Sequence, residues 1–244
     1  LFFSVGTCAK ILNVELNKLH FVGGTVGGGF GGKVDSVCEP LAILGAMLTR
    51  QPVRYVLNRA EEMQVSAPRS AELWKIRDAV AEDGRILARE FEGWFDAGAY
   101  TRLTSYGVVK CTGHLPGPYT IPAVKSDIYC VFTNRTPSTA MRGFGVLGVD
   151  FAIERQMDKG ARAAGLGPME FRLINAYRDG DMKATRRVAS NTALVECIKV
   201  AAQKANYRLS ANYEEMTSMT GASQTEIPET VTESGVLPAG YSTV

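Results

Sequence analysis

Apolar residues at three- and four-residue steps (Phe2, Val5, Ala9 and Leu12) predict a helix over residues 1–12. KLHFVGGTV at 18–26 predicts a strand that runs into a glycine-rich turn, GGGFGG at 27–32. An apolar helix is expected over 35–49, with Asp35 or Ser36 as its N-cap. Pro52 then opens a second expected strand, VRYVL at 53–57. Residues 72–100 alternate apolar and polar side chains around Asp83-Gly84, which predicts an antiparallel hairpin. A Gly- and Pro-rich loop at 113–122 precedes a strand at 127–132. The period then lengthens. Val149, Ile153, Met157, Ala161 and Ala164 share one helical face, with Asp150, Glu154, Asp158 and Arg162 turned away. Pro168 suits the first turn of another helix, and Leu194, Ile198 and Ala201 put a third over about 192–206. Hairpin strands followed by a helical third make an α+β chain.

Composition narrows the class. With 45% hydrophobic and 21% charged residues among 244, the chain can bury a sizeable core and is not a disordered polymer. No apolar run approaches the roughly 20 residues that span a bilayer, and neither a membrane nor a nucleic acid is expected as partner. All 27 Lys and Arg lie within residues 1–208, with 20 of the 25 acidic residues, a net charge of +7. Residues 209–244 carry only Glu214, Glu215, Glu226, Glu229 and Glu233, among Thr, Ser and Pro. They are read as an acidic tail or partner-contact extension to a domain at 1–208. A mildly basic body suits an anionic ligand. Five scattered cysteines without a CxxC pair, and only two histidines, argue against a disulfide framework or a zinc site. A reducing, cytoplasmic compartment follows. Leu1 without a preceding basic segment is not a signal peptide; it is taken as a start inside a longer chain.

The glycine loop admits two generic motifs. Gly27, Gly32 and Lys33 fit a phosphate-binding P-loop, but Val34 lacks the hydroxyl that would hold Mg²⁺. Gly27, Gly29 and Gly32 fit the dinucleotide pattern GxGxxG, and an NAD(P)-binding oxidoreductase is the alternative reading. Against it, the second strand ends at Asn58-Arg59 with no acid for a ribose, and a hairpin replaces the next crossover. Either way, glycines around Phe30 let backbone N–H groups approach an anion closely. A second constellation, TAMRGFG at 139–145, holds an Arg and a Phe between small residues. Arg142 offers a fixed fork of donors, and Phe144 offers a flat face for a ring.

Together, VGGGFGGK at 26–33 and RGFG at 142–145 resemble the molybdenum-binding subunits of the xanthine dehydrogenase–aldehyde oxidase family. PVRYVLNRAEEM at 52–63, GPYTIPAVKSD at 117–127, TNRTPSTAMRGFG at 133–145 and LGPMEFRLINAYRDGD at 166–181 agree with it in order and spacing, so the resemblance covers roughly residues 1–205. It implies the molybdopterin-binding domain of a molybdenum hydroxylase, with mixed sheets and packed helices. It implies hydroxylation of an electron-poor carbon with oxygen from water. Electrons then leave through iron–sulfur clusters to FAD on partner subunits. The cofactor implied is molybdenum on molybdopterin, as the cytosine dinucleotide in the bacterial pattern.

Carried over by motif, Gly28, Gly29, Phe30, Gly31, Gly32 and Arg142 would bind the cofactor. Phe30 and Arg142 would lie near the metal without ligating it. Lys33 follows the loop as either a structural or a cofactor-facing lysine. Phe144 would stack on the substrate ring. Val34 stands where purine-oxidising members carry a glutamate, and Lys110 stands near their substrate-orienting arginine. Val146-Leu147-Gly148 replaces the family's Pro-Gln. The resemblance implies an N-heteroaromatic substrate, nicotinate- or purine-like. The departures count against xanthine itself and suit a different N-heterocycle such as nicotinate, or an aromatic acid thioester, with Lys110 pairing a carboxylate as a point charge. The family's catalytic glutamate sits in a GEP-type segment not found here, so no catalytic residue is assigned to this chain. A second molybdopterin subunit, as in split nicotinate dehydrogenase-like enzymes, or a missing continuation of this chain would supply it. The other reading is a non-catalytic scaffold subunit of the same complex.

Overall fold

A computed structural model describes residues 2–66, 68–210 and 241–243. In chain order the elements are α1 (Phe2–Leu12), α2 (Glu39–Thr49), α3 (Arg59–Val65), β1 (Glu72–Ala81), β2 (Ile86–Gly98), α4 (Thr104–Thr112), β3 (Ala123–Phe132), α5 (Val146–Ala163), α6 (Pro168–Asn175), α7 (Leu194–Lys204) and β4 (Tyr241–Thr243). The strands form one sheet in the order β3-β2-β1-β4, with β4 antiparallel to β1. The expected acidic extension at 209–244 falls mostly outside the described residues, at 211–240 and 244. By contacts the chain forms two compact units. One takes the chain up to Glu72, Trp94–Cys111 and Tyr129–Leu147; the other takes Leu73–Gly93, Thr112–Ile128 and the chain from Gly148 onward.

The second unit contains the hairpin that Asp83-Gly84 predicts. Gly84 takes φ +87°, and its N–H donates to the Ala81 carbonyl at 2.9 Å. Asn175 pins the turn from behind: its amide donates to the Gly84 carbonyl and its oxygen accepts from the Ile86 N–H. The predicted face of α5 is the buried one: Val149, Ile153, Met157 and Ala161 are all sealed. They pack with Phe91, Phe171 and Ile174 in a core that also holds a fully buried ion pair. Arg89 Nε and Nη2 reach the two Asp78 oxygens at 2.6 and 2.7 Å. Removing one member of such a pair would strand a buried charge, at a cost of about 3–5 kcal/mol.

In the first unit a polar frame surrounds a smaller set of buried apolar side chains, among them Phe95, Ala97 and Cys111. The Ser138 hydroxyl donates to the Asp96 carbonyl and meets the hydroxyls of Ser70 and Thr104. The Asp96 carboxylate accepts from the Thr133 hydroxyl and the Gly98 N–H. The Thr133 hydroxyl above all, then that N–H and the Arg135 charge, hold this carboxyl below the ordinary aspartate range, against the opposing effect of burial. Trp94 stacks on Tyr129, ring centres 5.9 Å apart.

Several expectations fail for local reasons. Residues 18–26 and 53–57 form no strand; a single 3-10 turn covers Leu16–Lys18 and the rest is irregular. Extended backbone persists only where a neighbour completes its ladder, and the described strands pair elsewhere. Val53 lies instead against Gly45 of α2. Helix α2 starts at Glu39, because the Glu39 carboxylate itself accepts the N–H groups of Val37 and Cys38. Asp35 and Ser36 cap nothing. In α1 the buried positions are Ser4 and Cys8, not the Val5–Ala9 face, and in α7 Ala202 is buried rather than Ala201. Helix α4 was not expected at all. No helix among the described residues is long and apolar enough to cross a membrane.

Two outcomes check this account. A Cβ at Gly160 would sit 2.7 Å from the sealed Phe171 ring. Overpacking, at about 1–3 kcal/mol, outweighs the roughly 0.5–1 kcal/mol a helix gains from alanine. Gly160→Ala therefore lowers stability by about 1–2 kcal/mol in urea unfolding. Asp96 has a depressed folded-state pKa, so its contribution is full above the unfolded value near about 4 and is lost as pH falls through the folded one. Asp96→Asn is therefore less stable than wild type at pH 6, and the gap closes as unfolding is repeated toward pH 2.

Candidate cofactor-binding site

Both predicted loops lie in the first unit, and both use the same backbone device. Phe30 has φ +49° and is followed by Gly31 at +97°; Phe144 has φ +53° and is followed by Gly145 at +87°. A bulky side chain in the left-handed region costs conformational energy and persists only where the surroundings fix it. In the glycine loop the Gly32 N–H donates to the Gly29 carbonyl at 2.8 Å and the Val34 N–H to Gly31 at 3.2 Å. The N–H groups of Gly28, Gly29, Phe30 and Gly31 donate to no acceptor among the described residues. In the second loop Phe144 donates to the Met141 carbonyl at 2.9 Å and Val146 to Gly143 at 3.2 Å.

The loops touch. A Cβ on Gly31 would stand 2.1 Å from the Ala140 carbonyl oxygen, so only glycine permits the approach. Beside it the Arg142 N–H donates to the Phe30 carbonyl at 2.8 Å. The Arg142 guanidinium lies over the Phe30 ring, 5.6 Å from its centre. Phe30 itself is 65% exposed. Phe144 packs over Gly107 of α4, and Gly145 is held close by the Gly107 carbonyl, so α4 seats this second loop. Lys110, one turn along α4, places its ammonium 6.0 Å from the centre of the Phe144 ring. The residues named from sequence thus fall into two adjoining sets: the glycine loop with Arg142, and Phe144 with Lys110. Val34 is partly exposed. Lys33 folds back, Nζ donating to the Gly28 carbonyl at 2.7 Å, and so braces the loop.

Three participants escaped the sequence reading. Arg69 Nη2 donates to the Arg142 carbonyl at 2.5 Å, while its Nη1 is buried with no partner among the described residues. Thr139, three residues before Arg142, donates to the Asp35 carboxylate. Arg102 faces that carboxylate at 4.0 Å. Thr139 lies inside a motif that was quoted; Arg69 and Arg102 carry no local signal. The open N–H groups of the glycine loop and the exposed Arg142 form a donor-rich surface, while Glu72 and the partly buried Arg69 line the pocket beside Phe144. That surface fits an anionic, oxygen-bearing group, as a pterin phosphate and its oxo-metal would be. The phosphate and dinucleotide motifs fail on context: no strand enters the loop, and the α2 N-terminus is closed by its own Glu39.

The molybdopterin cofactor-binding domain model matches residues 2–176. The chain belongs to that family. It is 35% identical over 201 residues to the nicotinate dehydrogenase large molybdopterin subunit of Eubacterium barkeri, covering 82% of this chain and 47% of that one. Among solved structures, the aldehyde oxidoreductase of Desulfovibrio gigas aligns with TM-score 0.76 at 29% identity, over 85% of this chain and 24% of that one. The quinoline 2-oxidoreductase of Pseudomonas putida 86 aligns with TM-score 0.75 at 27% identity, over 84% and 27%. The chain therefore spans about half the curated subunit, and about a quarter of the solved chains, that it matches. The match bears out the expected molybdopterin-binding fold. It also displaces the NAD(P) reading.

The contact at Gly31 makes a sharp prediction for this molybdopterin-binding domain. Gly31→Ala forces a side chain onto the Ala140 carbonyl at a positive φ and lowers stability by at least about 2 kcal/mol in urea unfolding. At Gly29 an added Cβ meets only the Lys33 Cβ at 3.6 Å. Gly29→Ala leaves stability within about 0.5 kcal/mol of wild type.

Proposed function

We propose that residues 1–208 are the part of a molybdenum hydroxylase that presents the glycine loop and the RGFG loop to a molybdopterin. The complete enzyme would hydroxylate a ring carbon of an N-heteroaromatic substrate, nicotinate- or purine-like. The observation that carries this is the bond from the Arg142 N–H to the Phe30 carbonyl, which joins the two motifs into one surface. The names of two relatives, a nicotinate dehydrogenase subunit and a quinoline oxidoreductase, support a heteroaromatic substrate. When bound, the cofactor supplies two-electron oxidation with oxygen taken from water.

This chain's share is positioning. The free N–H groups of Gly28, Gly29, Phe30 and Gly31, with Gly32 closing the turn, meet the cofactor's oxygens. Arg142 adds fixed donors close to the metal without ligating it. Phe144 stacks on the substrate ring, Val34 offers it an apolar wall, and Lys110 orients an anionic substituent. The general-base glutamate comes from a second molybdopterin chain or from a continuation of this one, and iron–sulfur and FAD subunits carry the electrons. The cofactor form proposed is the cytosine dinucleotide. A cytoplasmic location accords with five cysteines that are all free.

The surface supports the partner. Helix α2 is largely apolar, yet none of its residues is buried. Leu41, Leu44, Met47 and Leu48 are exposed there, as are Val56 and Met63 just beyond. Exposed apolar side chains at helical spacing such as Leu41, Leu44 and Leu48 mark an interaction site. The occupant proposed for this face is a second molybdopterin chain.

Metal and nucleotide analysis of the native complex tests the reading. One molybdenum per copy of this chain, with iron, flavin and acid-released cytidine nucleotide, is the expected result. Molybdenum confined to complexes lacking this chain would make it a scaffold. In the active complex, Lys110→Ala raises KM for carboxylated heteroaromatics about tenfold, with kcat within twofold. Leu48→Glu leaves the isolated chain folded by circular dichroism and abolishes co-purification of the second molybdopterin chain.

A further inference from the structure

Asp35 follows the glycine loop by three residues and precedes α2 by four, so its carboxylate serves no helix. It meets Thr139 instead, whose hydroxyl donates to Asp35 Oδ2 from 104 residues away. Thr139 is buried and anchored further by its backbone and by its hydroxyl. Its N–H donates to the Pro68 carbonyl at 3.1 Å, and its oxygen accepts from the Leu103 N–H at 3.4 Å. Backbone bridging pairs it with Arg69. Arg102 completes the surroundings: its Nη1 stands 4.0 Å from Asp35 Oδ2, buried and without a hydrogen bond among the described residues.

The two loops are therefore tied twice. One tie is the backbone bond between residues 30 and 142, and the other is the side-chain bond between residues 35 and 139. Gly31 rests on Ala140 between them. A single hydrogen bond fixes a distance and leaves a pivot; two ties several residues apart also fix orientation. A carboxylate acceptor strengthens the second tie, because charge-assisted bonds are roughly twice as strong as neutral ones.

We propose that Asp35 and Thr139 form a clasp that sets the angle between the glycine loop and the RGFG loop, with Arg102 holding the Asp35 charge in place. They are positioning residues, acting through Phe30 and Arg142 on whatever those loops bind. The clasp deepens the cofactor-binding reading and rests on it for its purpose, but not for its existence.

The test uses the complete complex. Thr139→Val removes the hydroxyl at nearly constant volume, Thr139→Ser keeps it, and Asp35→Asn keeps an acceptor while removing the charge. Hydrogen exchange is followed in peptides covering 29–35 and 140–146, where the Gly32, Val34 and Arg142 amides are bonded. Thr139→Val should speed exchange in 29–35 at least fivefold, and Thr139→Ser should return it to within twofold of wild type. Asp35→Asn should speed exchange in 140–146. Where molybdenum is present, Thr139→Val should also halve its retention after gel filtration and alter the Mo(V) electron paramagnetic resonance signal. Faster exchange confined to the mutated segment, or failure of serine to restore it, overturns the clasp. Should Thr139→Val not fold, Asp35→Asn and Arg102→Gln carry the same exchange test. A wild-type complex without molybdenum refutes the cofactor reading, and the exchange result then judges the clasp alone.

Discussion

One backbone hydrogen bond organises the candidate site: the Arg142 N–H on the Phe30 carbonyl. It exists because Gly31 has no side chain to strike the Ala140 carbonyl, and because Gly31, Gly143 and Gly145 accept positive φ without strain. Each loop then holds its phenylalanine in a left-handed backbone position, Phe30 exposed and Phe144 packed over Gly107. That conformation is costly for a bulky residue, so the surroundings must hold it. They do so with hydrogen bonds more than with apolar packing. Lys33 braces Gly28, Arg69 grips the Arg142 carbonyl, and the hydroxyls of Ser70, Thr104, Ser138 and Thr139 lie beneath. The loops are rigid in their own hydrogen bonding and open in the N–H groups between, which is the condition for recognising an anion with little reorganisation.

The two units reach stability by different routes. The second has a sealed apolar core around α5 and α6 and a buried Asp78–Arg89 pair held by two short bonds. The first buries no residue of α2 fully and relies more on polar networks around Asp96 and Thr139. Helices as apolar as α2 are ordinarily covered.

Much of this was legible in the residues, and the failures share a cause. Periodicity placed α5 and alternation around Asp83-Gly84 placed the hairpin, because their buried faces pack within their own unit and the pattern is a direct record of that; Pro168 marked the start of α6. The motif pair GGGFGG and RGFG announced glycine-dependent backbone, and the structure puts the two loops in contact. The expected strands at 18–26 and 53–57 failed because a strand is a property of a pair, and one sequence carries only half of it. Asp35 read as an N-cap on local grounds, yet its partner is Thr139, 104 residues away, and no local rule finds such a bond. Arg69 and Arg102 were missed for the same reason: a lone arginine announces neither its carbonyl nor its carboxylate.

The most direct test of the central claim is an anomalous scattering map, recorded at the molybdenum edge, from crystals of the native complex. The account predicts a molybdenum peak beside Phe30, Gly31 and Arg142, with pterin density along the glycine loop. A peak elsewhere, with these two loops still bonded to each other and facing only solvent or protein, would contradict it.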